Sequence, residues 1–522
     1  MTGNRRILLA LVAAVAALAG MVLLLNTSTR PALANGSTLC VAPGGSGCDP
    51  ATCGGTCYAS VQAAVDAATT GSQIRVAAGT YTGVQARAGM TQVVYISKTV
   101  TLRGGYNSNL TVWNPDAYPT TLDAQGQGRV VSIVGGAAAP TLEGFIITGG
   151  DATGVTLNCP ALLGTSYGCG GGIFVYQAQA TIANNVVTHN VAGVWTSGYS
   201  ADGGGLCLEH AGGSVITGNL IISNTASLGG DGAGGGIVLY YPYGVVVASN
   251  QVLSNVATTH NTRAGSGGGI HIQGSGAAAT IQGNRIEGNR TNGGGSGEGA
   301  GIYHWYGSSH FEGNQVIGNY GAQAVYLGGY DAARFESNQV LDNHTSVGIA
   351  VVNGGLSGPT LVNNIVARSG DKALSLSSYA GAPLTATLIH NTLVGSGTGY
   401  GVYVGSGYVA LALTNTIVAS HTWGITNTFP ISSTVAADHT LFWANAQDGI
   451  VGTNPVYGDP VFIDLGDGCH LGPGSVAIDA GVATAESVDI DGDSRPLGSA
   501  PDIGADEVLW LQVLLPLTLR NY

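Results

Sequence analysis

One asparagine recurs along the middle of the chain within a motif repeated too often for an ordinary globular fold. The block apolar-x-x-Asn-x-apolar-apolar is written as TIANNVVTHN, VITGNLIISN, VVASNQVLSN, TIQGNRIEGN, HFEGNQVIGN, RFESNQVLDN, TLVNNIVARS, TLIHNTLVGS and LALTNTIVAS. Its first aligned Asn falls at Asn185, Asn219, Asn250, Asn284, Asn314, Asn338, Asn364, Asn391 and Asn415. Five positions on stand Asn190, Asn224, Asn255, Asn289, Asn319 and Asn343, then Ser369, Ser396 and Ser420. A unit this short cannot bury its apolar side alone, so the repeats must stack to make a core. Asn tolerates left-handed backbone angles better than most residues, which suits a sharp corner between short strands. Corners stacked ~4.8 Å apart would let the amides bond in a column.

Upstream of each Asn lies a second strand opened by small residues: GGGIFVY, GGGLCLE, GGGIVLY, GGGIHIQ, GAGIYHW, AQAVYLG and GVYVGSG. These glycines have neither the spacing nor the Lys of a phosphate loop, and tight corners explain them better. Alternation sends Ile173, Leu206, Ile237, Ile270 and Ile302 inward. The residues after them then face out: Phe174, Cys207, Val238, His271 and Tyr303, followed two positions on by Tyr176, Glu209, Tyr240, Gln273 and Trp305. Tyr326 extends the first column, and Tyr241, Tyr243, His304 and Tyr306 are expected at the adjoining corner.

Together these motifs resemble the right-handed parallel β-helix family, the pectate-lyase-like fold, over roughly residues 58 to 445. The resemblance implies an all-β, single-stranded solenoid of about twelve coils, a rod of roughly 60 Å. The segment YASVQAAVDAATTGSQIRVAAGTY looks like the family's N-terminal cap, with a helix over Ser60–Ala68. The stretch DPVFIDLGDGCHLGPGSVAIDAG, followed by DIDGDSRPLGSAPDIGADE, resembles a C-terminal segment of bacterial surface β-helix proteins that is associated with anchoring. The expected organisation is a signal peptide over 1–34, a Cys/Gly-rich leader over 35–57, the β-helix over 58–445, a cap or anchor-like segment over 446–508 and a hydrophobic tail over 509–522.

Compartment and partner class follow from composition. Arg5 and Arg6 precede an apolar run from Ile7 to Leu25, and Ala32-Leu33-Ala34 supplies a small-x-small cleavage pattern. Cleavage after Ala34 is expected. Membrane contact would come only through an uncleaved N-terminal run or C-terminal anchoring, and the bulk of the chain is expected to be secreted or displayed on the cell surface as a monomer. All eight cysteines follow that point, as an oxidising compartment allows. Cys40, Cys48, Cys53 and Cys57 are expected to form two bridges and Cys159 to pair with Cys169, leaving Cys207 and Cys469 unassigned. A net charge of −13 and only two lysines, Lys98 and Lys372, set nucleic acid aside.

Uneven coil length points to a functional side. Successive repeat Asn residues lie 34, 31, 34 and 30 apart and then 24, 26, 27 and 24 apart. The surplus falls in 191–202, 225–233, 256–266 and 290–298, with a longer insertion at about 151–169. Loops stacked on one side of a solenoid build a wall, and such loops commonly carry function. Aromatic faces beside that wall would stack on sugar rings, so a polysaccharide or cell-envelope glycan is the expected partner. The acids Asp202, Glu209, Asp231 and Glu298, with His210 and His271, are the catalytic candidates if the chain is a lyase, hydrolase or epimerase. The alternative is a noncatalytic adhesin or envelope rod, because the polygalacturonase and major pectate lyase signatures are both missing. Asp489-x-Asp491-Gly-Asp493 resembles a Ca²⁺ loop. Ser494 replaces the usual Gly and no Glu follows at the expected distance, so a structural acidic turn fits equally well.

Overall fold

A computed structural model describes residues 36–508 except 155–165, 195–199, 293, 295–296, 330–331, 353–357, 380–382 and 464–467. The expected signal peptide, the tail and Cys159 lie outside the described residues. No described helix is long and apolar enough to cross a membrane.

Each repeat contributes one short strand to each of three stacked sheets. The first sheet has fifteen strands and the second and third fourteen each. In one coil the chain runs through Thr181–Ala183 of the first sheet and Val186–Thr188 of the second, then reaches Leu206–Glu209 of the third. Strands of successive coils pair in parallel and in register, for example Thr181 with Val215 and Leu206 with Ile237. Inward residues therefore stack on their equivalents. Ile182, Val187, Ile173, Leu206, Ile237, Ile270 and Ile302 are all fully buried in one continuous core. The inward expectation for the third sheet is met at every one of its five positions.

Buried amides hold the corners. Asn219 donates through Nδ2 to Asn250 Oδ1 at 2.9 Å and to the Ile182 carbonyl at 2.9 Å, and its backbone N–H also reaches Asn250 Oδ1. The same bonding joins Asn185, Asn219, Asn250, Asn284, Asn314, Asn338, Asn364 and Asn391 in one column. A second column runs from Asn190 through Asn224, Asn255, Asn289, Asn319 and Asn343 to Ser369. Each amide satisfies backbone groups that the corner would otherwise strand away from water.

Two details differ from the sequence reading. The left-handed residue is the one before the ladder Asn, such as Asn184 (φ 54°), Gly218 (φ 65°) and Ser249 (φ 56°). The ladder also does not pass through Asn415. Pairing of Ile389 with Thr414 and of Thr392 with Ile417 sets Thr416 opposite Asn391. Asn415 takes the left-handed position (φ 51°), donates to the Val482 carbonyl and accepts from the Val482 N–H. Ser420 is displaced in the same way (φ 60°), and the His421 N–H there bonds Asn445 Oδ1, a ladder residue the repeat pattern missed. Asn suits both adjacent positions for different reasons, so spacing alone could not choose between them.

At the N-terminal end, Cys40–Cys53 and Cys48–Cys57 form the two expected bridges. Helix Val61–Ala67 is N-capped by Ser60 and buries Val61, Ala64 and Val65 in the main core. Cys169 is disulfide-bonded, whereas Cys207 keeps a buried thiol. At the other end, residues 469–508 fold back along the outer side of the second sheet. Cys469 and Ala505 pack on Leu341, Ile365 and Ala367, while Leu471, Ala477 and Ile503 pack on Ile417, Ala419 and Leu441.

Replacing Asn284 by Ala removes the acceptor for Asn250 and the donor to Val247. We expect a loss of about 1–3 kcal/mol in denaturant unfolding, against a change within about 0.5 kcal/mol for the exposed control Asn261→Ala.

A roofed face and an aromatic corner

The long insertions do stack on one side, but they roof the third sheet instead of standing beside it. Their outgoing limbs, Val191–Gly193, Thr225–Ser227 and Val256–Thr258, form a three-stranded sheet. Their returning limbs form a four-stranded sheet that includes Ser200–Asp202 and Asp231–Ala233. The limbs meet backbone to backbone because Gly168, Gly232 and Gly265 stand where any Cβ would strike the carbonyls of Ala192, Ala257 and Thr291.

Beneath the roof lies a second, smaller core. Cys169 and Ala233 of the returning limbs pack on Phe174, Cys207, Val238 and Tyr240 of the third sheet. The outward columns expected from alternation exist in register, yet Phe174, Tyr240 and His271 are buried instead of facing solvent. Tyr326, beyond the roof, is buried by stacking on Tyr303 at 4.9 Å and by Val347 and Ala350. His304 is corrected more sharply. It occupies an inward position between Ile272 and Leu327, with its ring edge-on to Phe311 at 5.5 Å.

The acidic candidates separate in the same way. Asp202 is buried and accepts a bond from the Tyr240 hydroxyl at 3.0 Å. Glu209 is fully buried, and neither of its carboxylate oxygens has a protein partner. Burial, reinforced by the Asp202 charge, pushes the Glu209 carboxyl up to about 7. Arg129, unnoticed in the sequence, is buried nearby. Its Nε donates to the Cys169 carbonyl at 2.7 Å, its guanidinium lies 4.9 Å from the Phe174 ring centroid, and burial lowers it to about 10. His271 meets Ser266 Oγ at 3.0 Å and Gln273 Oε1 at 3.2 Å, and burial lowers its ring to about 4. Asp231 accepts the Ala264 N–H and serves the roof. Glu298 is exposed at the roof's edge, where it bridges Ser266. These groups do not converge on an open cleft.

What remains accessible is the corner where the third sheet turns toward the first. Backbone bonds align Gln177, His210, Tyr241, Gly274, Tyr306 and Gly329 in one column. Gln177, His210, Tyr241 and Tyr306 are left-handed there, at φ 50°, 48°, 50° and 63°. Bulky side chains rarely accept that conformation, and it costs each of them roughly 1 kcal/mol or more. Three of the rings rest on a glycine of the next coil: Tyr241 on Gly274, Trp305 on Gly328 and Tyr306 on Gly329, where an added Cβ would crowd or collide with the ring. Tyr241 also stacks on His210, with centroids 4.5 Å apart and planes 7° apart, and lies nearly parallel to the exposed Tyr243. Tyr176, Tyr241, Tyr303, Trp305 and Tyr306 are half-buried and His210 is exposed.

The Ca²⁺ expectation at Asp489, Asp491 and Asp493 is not met in geometry. Asp489 is buried and spends its two oxygens on the N–H groups of Asp491, Asp493 and Glu507. Asp491 turns instead to His470, and Asp493 is exposed. The acids form a backbone-holding turn.

The raised Glu209 group makes a pH prediction. A folded-state carboxyl above its ordinary value of 4.5 contributes stability that is complete below that value and lost as pH rises through about 7. From about pH 5 to pH 8, unfolding of the native chain is therefore expected to show a loss that Glu209→Gln does not. Superimposable profiles for the two proteins would contradict the assignment.

A family model agrees with this architecture over part of the chain. The model described as "Right handed beta helix region" matches residues 165–319 and 245–393. No curated protein matches the sequence. Among solved structures, pectate lyase Pel9A is similar at 16% identity, over 91% of this chain and 97% of that one, with a TM-score of 0.38. XylC in complex with xylose is similar at 12% identity, over 90% and 98%, with a TM-score of 0.46. Alginate lyase from Paenibacillus sp. str. FPU-7 is similar at 14% identity, over 77% and 99%, with a TM-score of 0.33. The stacked parallel sheets and the matched region together describe a right-handed β-helix whose third face is roofed along its long-loop coils.

Proposed function

We propose that this protein binds a polysaccharide at the aromatic corner of its third face, outside the cell and without acting on it chemically. The observation that supports this most is the set of half-buried rings packed against a glycine of the next coil. A ring held against backbone keeps its orientation fixed, so a sugar can pack on its accessible part with little loss of side-chain freedom. His210, Tyr241 and Tyr306 span three coil steps, about 14 Å at ~4.8 Å per coil, so a chain ligand can contact several rings at once. Tyr176, Tyr243, Tyr303 and Trp305 extend the platform.

The burial of Asp202, Glu209 and His271 favours binding over catalysis. A general acid or base must reach the proton it moves, and these groups instead sit buried under the roof. The expected export signal and the leader bridges Cys40–Cys53 and Cys48–Cys57 support an extracellular role.

Two substitutions separate binding from folding. Trp305→Ala is expected to weaken binding about fivefold or more, in line with roughly 1–3 kcal/mol for an aromatic stacking contact. Tyr241→Gly should also weaken binding, while relief of the left-handed strain offsets part of the packing that is lost, so the fold should be retained. Titration against neutral and acidic polysaccharides, with product analysis, reads both. Release of unsaturated or reducing ends would refute the noncatalytic reading, and failure to bind any glycan would refute the proposal outright.

A further inference from the structure

We infer that His470, Asp491 and Asp506 form a binding site for a divalent transition cation of the zinc class, which staples the returning C-terminal segment to itself. The three side chains come from three separate stretches. One ligand atom from each lies within 4.8 Å of the others. His470 lies on a two-residue strand, His470–Leu471, paired antiparallel with Phe462–Ile463. Asp491 stands in the turn organised by Asp489, and Asp506 in the terminal run.

The backbone already holds the donors in place. The Leu471 N–H bonds one oxygen of Asp506 at 2.7 Å. The Ile490 N–H bonds the Ala505 carbonyl at 3.0 Å, and the Glu507 N–H bonds Asp489 at 2.9 Å, which fixes the turn against the terminal run. Ligating carboxylates are commonly oriented by such outer bonds, with one oxygen held and the other facing the metal.

Spacing and accessibility both fit. His470 Nε2 and Asp491 Oδ2 are 2.9 Å apart. A cation about 2.1 Å from each donor needs the donors roughly 3 to 3.5 Å from one another. At most about 1.3 to 1.8 Å of closure is then required across the widest pair. Asp491 has room to adjust, because its side chain is 52% exposed while that of His470 is 5% exposed. The exposed side leaves coordination positions for water. One imidazole with two carboxylates is a donor set for Zn²⁺, Co²⁺ or Mn²⁺, whereas Ca²⁺ takes oxygen donors alone and in greater number. Two carboxylates also carry the charge that a dication balances.

The test is titration of the full chain, stripped with a chelator, with Zn²⁺ and with Co²⁺ as a visible probe. One equivalent should bind, give a Co²⁺ absorption band and raise the unfolding temperature. Asp491→Asn, on the exposed side where folding is least disturbed, should weaken Zn²⁺ at least about tenfold. His470→Gln should abolish the Co²⁺ band. Absence of a one-equivalent event, binding unchanged in both variants, or displacement of Co²⁺ by Ca²⁺ would each overturn the proposal. Glycan binding at the aromatic corner is a separate readout and should be unaffected by either variant.

Discussion

The structure depends on register between coils, and buried asparagine amides are what fix it. A strand of three residues has too few ladder bonds to specify its own alignment, and a slip of one residue would turn its apolar side outward. The side chain of Asn250 prevents that slip by bonding Ile216 of the preceding coil and Asn284 of the following one. An amide sequestered from water satisfies its donors only when the neighbouring coils are aligned, so alignment and solvation are solved together. Columns of Ile, Leu and Val then follow, because any residue correctly placed in one coil rests on its equivalent in the next.

Consistent stacking also governs the outer surface. Once coils are in register, insertions at one corner must pile on one another, and glycine at their crossing points lets the limbs lie flat. The same regularity makes the third face a layered object, with a roof, a small inner core of Phe174, Cys207, Val238 and Tyr240, and the sheet beneath. Where the roof stops, the long strands Tyr320–Gly328 and His344–Val352 run on in its place. At the corner toward the first sheet His210, Tyr241 and Tyr306 reach solvent in backbone conformations that glycine would adopt more cheaply.

The returning segment uses the second sheet in a complementary way. Its buried Arg495–Glu507 pair, at 2.7 Å, is surrounded by backbone acceptors at Asp502 and Gly504. Its apolar residues cover the outer side of strands that would otherwise expose Ile365, Ile417 and Leu441. Asn415 joins segment and coil through two bonds to Val482. A residue that interrupts the ladder thus serves the contact that closes the C-terminal flank.

The sequence by itself determined the solenoid, the inward and outward sides of the third sheet and the side on which the insertions lie. All three follow from local period: alternation sets the face, and repetition sets the stack. Tertiary structure decided the rest. Spacing cannot distinguish a left-handed corner from a ladder position, so Asn415 and Asn445 were legible only from pairing. Alternation says that Phe174, Tyr240 and His271 point away from the core, but not that a roof lies above them. His304 occupies an inward position, and only packing shows that the core accepts a histidine there. Which outward groups meet solvent is a property of what folds over them, and no residue carries that information alone.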